Sequence, residues 1–422
     1  MKKSLFKISN DERGKHKIIE IFGVQLKVNL FCLHSVFGRL ADLILSKDKK
    51  KIVFFSIPTI SDNPYWLYKY INDNHSDKYK CYWLTSNVVK DKALCPKNTF
   101  ELFSLKGLYH LYTAKFVVSN HCDDFVDMVY SKRHVWLNLW HGMPVKTIGF
   151  CEKSVPKKIL KRYKKLGEMA YQFATSDIFK TLILTSFKSD YNKCFVTGLP
   201  RTDGIYNDSN DKKIREYFGF DNYKKVVLYS PTYKQAKRAK VRDIETEFSN
   251  IFYLKDYLHE DFLKYLEQNQ ILFMVKPHPL DEKFYRENVD KIFVQTSNVR
   301  VIYSDELFEQ NIQMYEMFKH FDMMISDFSS IALDYLILNK PILYLNNLDG
   351  EYLTNRGAIL EDNYKMFMPG ASVYNYSDLI AGIEDCLGVD SYKHTREKLL
   401  PLVHKYPDKF ASQRIFECMT KF

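Results

Sequence analysis

The sequence predicts an α/β protein of two Rossmann-like domains facing one another across a cleft. Three observations carry that expectation. From about residue 50 onward, short β-rich runs alternate with longer helix-compatible stretches, the rhythm of βα units around a mostly parallel sheet. A polar stretch, NDSNDKKIREYFG at 207–219, interrupts the rhythm once, after which it resumes. The chain, at 422 residues, also exceeds what one hydrophobic core usually organises.

In chain order, residues 1–50 stand apart as a leader. KIIEIFGVQLKVN (17–29) reads as two short strands around a turn at Gly23. Leu30, Leu33, Phe37, Leu40 and Ile44 then recur at helical spacing, which predicts a helix packed on the first domain, with a place in a membrane interface as the alternative. Residues 51–210 form the first domain, with strands expected in KIVFFSI (51–57), CYWLT (81–85), KFVVSN (115–120), VWLNLW (135–140) and FVTG (195–198). Residues 211–400 form the second, with VVLYSP (226–231), ILFMVKP (271–277), VRVIY (299–303), MMIS (323–326) and PILYL (341–345). Residues 401–422 are expected to close the chain as a helix.

Composition narrows the function classes. Lys and Arg number 62 against 51 Asp and Glu, a net charge of +11 that favours anionic partners. No cysteine lies closer than 14 residues to the next, which excludes CxxC zinc or redox spacing and suits a reducing cytoplasm. The longest apolar candidate, Val28 to Leu45, is interrupted by Asn29, His34, Arg39 and Asp42, so a spanning helix is not expected. A soluble cytoplasmic protein able to bind a membrane surface is the resulting reading. Two basic tracts read as solvated charged faces, with attraction of anionic lipid or polymer as the alternative: Lys157, Lys158, Lys161, Arg162, Lys164 and Lys165, then Lys234, Lys237, Arg238, Lys240 and Arg242. No nucleic-acid-binding motif accompanies them.

Parallel sheets place ligands at the carboxyl ends of their strands. Trp140-His141-Gly142-Met143-Pro144 puts an imidazole and a glycine at one such end, where a neutral His141 could take a proton from a hydroxyl. Gly198-Leu199-Pro200-Arg201 supplies a fixed turn and a phosphate-matching guanidinium. Ser230-Pro231-Thr232 offers a hydroxyl, and Lys276-Pro277-His278-Pro279 a rigid cationic exit suited to a diphosphate. Asp327-Phe328-Ser329-Ser330 precedes an apolar helix whose start could hold phosphate, with Asp334 one turn inside. P-loop, complete GxGxxG, HExxH, GxSxG and DxD patterns are absent, so no metal or cofactor is called for.

Taken in order, WHGMP, GLPR, SPT, KPHP and SDFSSIALD, with YPDKFASQR near the end, resemble the CDP-glycerol glycerophosphotransferase family of teichoic acid primases and polymerases. The resemblance implies a GT-B-type fold, with an acceptor domain at 51–210 and a CDP-donor domain at 211–400. It also implies transfer of a polyol phosphate, glycerol phosphate first, from a CDP-activated donor to a hydroxyl of a lipid-linked or polymeric acceptor, releasing CMP. By matching positions His141 and His278 are the catalytic pair. Donor contacts are Trp140, Gly142, Met143, Pro144, Arg201, Pro231, Thr232, Lys276, Pro277, Ser329, Ser330 and Asp334. Met143, Lys276 and Phe328 depart from the family's usual Thr, Arg and Tyr. The leader is similar to those of Gram-negative surface-polysaccharide transferases, which implies a capsule-like polymer. The alternatives are a GT-B glycosyltransferase using a nucleotide sugar and a non-catalytic protein binding anionic lipid or polymer.

Overall fold

A computed structural model describes residues 6–10, 16–21, 24–29, 38, 40–57, 60–86, 88, 97–121, 126–129, 131–153, 155–232, 250–293, 296–346, 357 and 361–422. The leader is a three-stranded antiparallel meander, β1 (Phe6–Asn10), β2 (His16–Ile21) and β3 (Val24–Asn29). The two strands around Gly23 are present, and β1 adds a third that pairs with residues 17–21 of β2. Of the expected amphipathic helix, 30–37 and 39 lie outside the described residues, whereas 40–44 are helical. The face that packs differs from the one expected. Leu40 and Ile44 are exposed, while Ala41 and Leu45 meet the first core and Asp42 is buried among Lys47, Ser131 and His134.

Two parallel sheets follow. The first contains β4 (Asp48–Phe55), β5 (Lys80–Thr85), β6 (Thr99–Glu101), β7 (Ala114–Ser119), β8 (Val135–Asn138), β9 (Tyr171–Ala174) and β10 (Cys194–Val196), in the order β10-β9-β8-β7-β4-β5-β6. The second contains β11 (Lys225–Ser230), β12 (Ile271–Val275), β13 (Val299–Val301), β14 (Met323–Ser326), β15 (Ile342–Leu345) and β16 (Ser372–Val373), in the order β13-β12-β11-β14-β15-β16. Strands such as β8, β12 and β14 are buried along their length, which is why they read as unbroken apolar runs. The expected strands are all observed. β6, β9 and β16 were not anticipated, since each is short and carries no β-branched run.

In each sheet the chain starts in the middle, winds one way for three strands and then reverses. The reversal leaves a crevice between β4 and β7 in one half and between β11 and β14 in the other. Ligand crevices of doubly wound sheets lie at this point.

The chain then returns to the first half. Residue 400, the expected end of the second domain, lies inside the helix Lys393–Val403, whose Leu399 and Val403 join the first core. The helix Ala411–Met419 packs Ile415, Phe416 and Met419 against that half, with Phe416 stacked on His75 at 4.0 Å. Its start is capped from the first half, where Asp203 accepts from the N–H groups of Ala411 (3.0 Å) and Ser412 (2.8 Å). Asp203→Ala is expected to cost about 1 kcal/mol through the lost cap, read as a lower denaturant midpoint. Burial raises the Asp203 carboxyl from 3.8 to about 6 against the pull of those N–H groups and Arg414. The protonation-linked part of its contribution to stability is therefore full below 3.8 and lost as pH rises through about 6. Asp203→Asn, which keeps an acceptor without a charge, should flatten the stability profile over that interval.

Candidate active site

The first crevice is built around Asn120, directly after β7. Its side-chain Oδ1 accepts from Ile57 N–H beyond β4 (3.2 Å), and its Nδ2 donates to Asp62 Oδ2 (3.1 Å), so the amide bridges the reversal point. Its backbone carbonyl accepts from His141 Nδ1 at 2.9 Å. A carbonyl can only accept, so the neutral His141 carries its proton on Nδ1 and presents a bare Nε2. Solvent reaches the ring, but the cleft walls crowd it, and burial lowers its pKa despite the opposing effects of Asn120 and Asp62. Trp140, before it, takes a left-handed backbone (φ 52°), a conformation that costs energy for a bulky residue and is held by its surroundings. Asn63, fully buried, does part of that holding by donating to the carbonyls of Leu139 (3.3 Å) and Trp140 (2.9 Å).

Arg201 sits where the two halves meet. Its Nη1 donates to Asp62 Oδ1 (3.1 Å) and to the His141 carbonyl (2.8 Å), its Nη2 donates to Asp334 Oδ2 (2.5 Å), and its backbone N–H donates to Asn63 Oδ1 (3.0 Å). Tyr315 lies under the guanidinium at 5.0 Å and donates its hydroxyl to the same Asp334 oxygen at 2.6 Å. Burial opposes the charge on Arg201, yet Asp334, Tyr315 and Asp62 together raise its pKa. The fork expected to meet phosphate is thus engaged by carboxylates from both halves. Gly142 (φ 137°) makes this approach possible, since a Cβ there would lie 2.7 Å from Ser330 Oγ and 2.8 Å from Arg201 Nη2.

In the second crevice Thr232, after β11, donates its N–H and its hydroxyl to Asp327, after β14, at 2.9 to 3.1 Å. Lys276 is nearly buried, and its ammonium donates to Glu282 (2.7 Å) and Ser304 (3.2 Å). Burial lowers its pKa, and Glu282 opposes the shift. His278 accepts from Leu280 N–H on Nδ1 at 3.3 Å, which puts the proton of the neutral ring on Nε2. Burial, with Lys276 and Lys146, pushes its pKa down to about 4. Ser329 and Ser330 begin the short helix Ser330–Tyr335.

One cleft of about 860 Å³ collects these residues from both halves. Trp140, His141, Gly142, Met143, Pro144, Arg201, Pro231, Thr232, Lys276, Pro277, His278, Ser329 and Ser330 all line it. Asp334 lies behind the wall, its carboxylate spent on Arg201 and Tyr315. Asp62, Asn63, Asn120, His121, Glu282, Ser304 and Tyr315 were missed by sequence reasoning. A polar residue at or just after the end of a predicted strand is the available signal for Asn120, His121 and Ser304, and the others carry none. Of the basic tracts, Lys157, Lys158, Lys161 and Lys164 are exposed on the helix Lys157–Met169 whereas Arg162 is buried, and 234–242 lie outside the described residues.

Comparison with known proteins places this geometry. Residues 39–421 match the family model for CDP-glycerol:poly(glycerophosphate) glycerophosphotransferase. The chain is 24% identical over 328 residues to a teichoic acid glycerol-phosphate primase of Bacillus subtilis, covering 76% of each chain. It is 24% identical over 411 residues to a teichoic acid glycerol-phosphate transferase of Staphylococcus aureus, covering 92% of this chain and 97% of the relative. Among solved structures it is similar to the wall teichoic acid polymerase TagF, with a TM-score of 0.71 and 22% identity over 93% of this chain and 96% of that one, a likeness of fold.

The position of Asp334 generates a prediction. Asp334→Ala leaves the Arg201 charge buried with one carboxylate fewer and should cost about 3–5 kcal/mol, read by urea denaturation. Unchanged stability with weakened nucleotide binding would instead make Asp334 a donor contact.

Proposed function

This chain belongs to the CDP-glycerol:poly(glycerophosphate) glycerophosphotransferase family, and from that premise we propose that it transfers glycerol phosphate from CDP-glycerol to a hydroxyl of a polymeric or lipid-linked acceptor. Its primase and transferase relatives support polyol phosphate transfer in teichoic acid synthesis. The observation that carries the mechanism is the opposite tautomers of the two cleft histidines. His141 offers a bare Nε2 and His278 a protonated one, the arrangement a displacement at phosphorus needs on its two sides.

In the proposed reaction the acceptor oxygen attacks the β-phosphorus while His141 Nε2 takes its proton. The bond from that phosphorus to the bridging oxygen breaks, and CMP leaves with the electron pair. His278 donates a hydrogen bond to the departing phosphate, Lys276 and Lys146 add positive charge nearby, and Ser329 and Ser330 line the same cleft. The products are a phosphodiester on the acceptor, CMP and a protonated His141. The carboxylate-bound Arg201 orients His141 through its carbonyl in this reading.

Acceptors of this kind bring the enzyme to a membrane. Among the described residues no helix is long and apolar enough to cross one. The exposed lysines of Lys157–Met169 support peripheral attachment to an anionic surface.

CMP release from CDP-glycerol and from CDP-ribitol, with and without acceptor, tests the proposal. His141→Ala should abolish acceptor-dependent CMP release while leaving CDP affinity within about threefold, whereas His278→Ala should weaken both. Because burial lowers the His141 pKa and the neutral ring is the base, kcat/KM should hold down to below the ordinary histidine range and fall as pH drops through that lowered value. A glycosidic product with release of a nucleoside diphosphate would overturn the assignment.

A further inference from the structure

The mechanism uses one imidazole of the first half, but the crevice holds two. His121 follows Asn120 and lines the cleft, and its ring stacks on that of His141 at 4.4 Å and 15°. Trp140 also stacks on His141, at 4.3 Å and 30°. Two rings cannot share one face of an imidazole at that spacing, so His141 lies between the indole and the second imidazole.

Asn120 holds the pair together. Its backbone carbonyl takes the Nδ1 proton of His141, and its side-chain Oδ1 takes that of His121 at 2.8 Å. The orientation of the amide follows from its other partners, since Nδ2 donates to Asp62 and Oδ1 also accepts from Ile57 N–H. Both imidazoles therefore carry their proton on Nδ1, and one asparagine sets two ring planes.

We propose that His121 is a positioning residue for the His141 base, fixing the plane of its ring and keeping water off one of its faces. The proposal rests on His141 being the base. A ring held between two flat neighbours cannot swing Nε2 away from the acceptor hydroxyl, and small errors in that direction are costly in rate. The role requires that His121 stay neutral when His141 takes up a proton. Burial, and then the charge of His141 itself, keep its pKa well below the usual value. Among the described residues, Asp62 and Arg201 on the first half and His278 across the cleft are the other charged or titratable groups that act on His141.

The test is acceptor-dependent CMP release from CDP-glycerol against pH, for the wild type, His121→Ala, His121→Phe and His141→Ala. Alanine at 121 should lower kcat by about tenfold or more with little change in the donor KM. It should also move the acid limb of kcat/KM to higher pH, because water reaches the uncovered face and eases protonation of His141. His121→Phe restores a flat, non-titrating ring and should return the limb to its wild-type position with most of the rate. A wild-type rate and profile in His121→Ala, with His141→Ala inactive, would overturn the inference and leave the base assignment standing. Activity in His141→Ala would overturn the base assignment itself. If the alanine variant does not fold, His121→Asn takes its place: a lowered kcat with the limb displaced to higher pH supports the role, and a wild-type rate and profile overturns it.

Discussion

The structure turns on a single buried cation. Arg201 is 6% exposed, and its guanidinium is held by Asp62 from the first half and Asp334 from the second. A buried charge that loses one carboxylate is strongly unfavourable, so an arrangement of the halves that parts this pair is disfavoured by several kcal/mol. The same guanidinium donates to the carbonyl of His141, while the Nδ1 of that histidine donates to Asn120, whose amide in turn donates to Asp62. These four residues close a ring of hydrogen bonds. Domain contact and the orientation of the proposed base are consequently one constraint.

Other contacts reinforce the turn that carries Arg201. Asn63 holds its backbone N–H, and Asp203, two residues on, caps the helix Ala411–Met419. Arg414 of that helix donates through Nε to the carbonyl of Thr197 just before the turn, at 2.7 Å. Across the junction Glu316 accepts from Asn207 and Asn210, which follow the turn. The final segment of the chain thus buttresses a site whose chemistry lies far earlier in the sequence.

Each sheet contributes its crevice in the same way. A polar residue after the strand beyond the reversal reaches back to the loop after the starting strand: Asn120 to Ile57 and Asp62, and Asp327 to Thr232. With that device repeated in both halves, His141 after β8 and His278 after β12 line one cleft. The tautomer of His278 is set within its own loop by Leu280, and that of His141 by Asn120 from the neighbouring strand end, so neither is set by the other histidine.

Apolar runs such as ILFMV and MMIS are strands wherever they are buried on both faces, so the doubly wound fold and its strand-end motifs were legible from residue order alone. His141, His278, Ser329 and Ser330 could be located in that way because they follow such runs directly. What residue order does not carry is pairing over distance. Arg201 was legible as a cation after a strand, but its partners Asp62 and Asp334 lie 139 and 133 positions away, and only packing shows that they, rather than solvent, take its protons. Asn63 and Tyr315 are invisible for the same reason, as is the seating of the C-terminal helix on the first half. Residue types and strand periodicity determined the fold and the candidates for chemistry. Tertiary structure decided which of those polar groups face the cleft and which satisfy one another, because a buried hydrogen bond depends on where two groups meet in space.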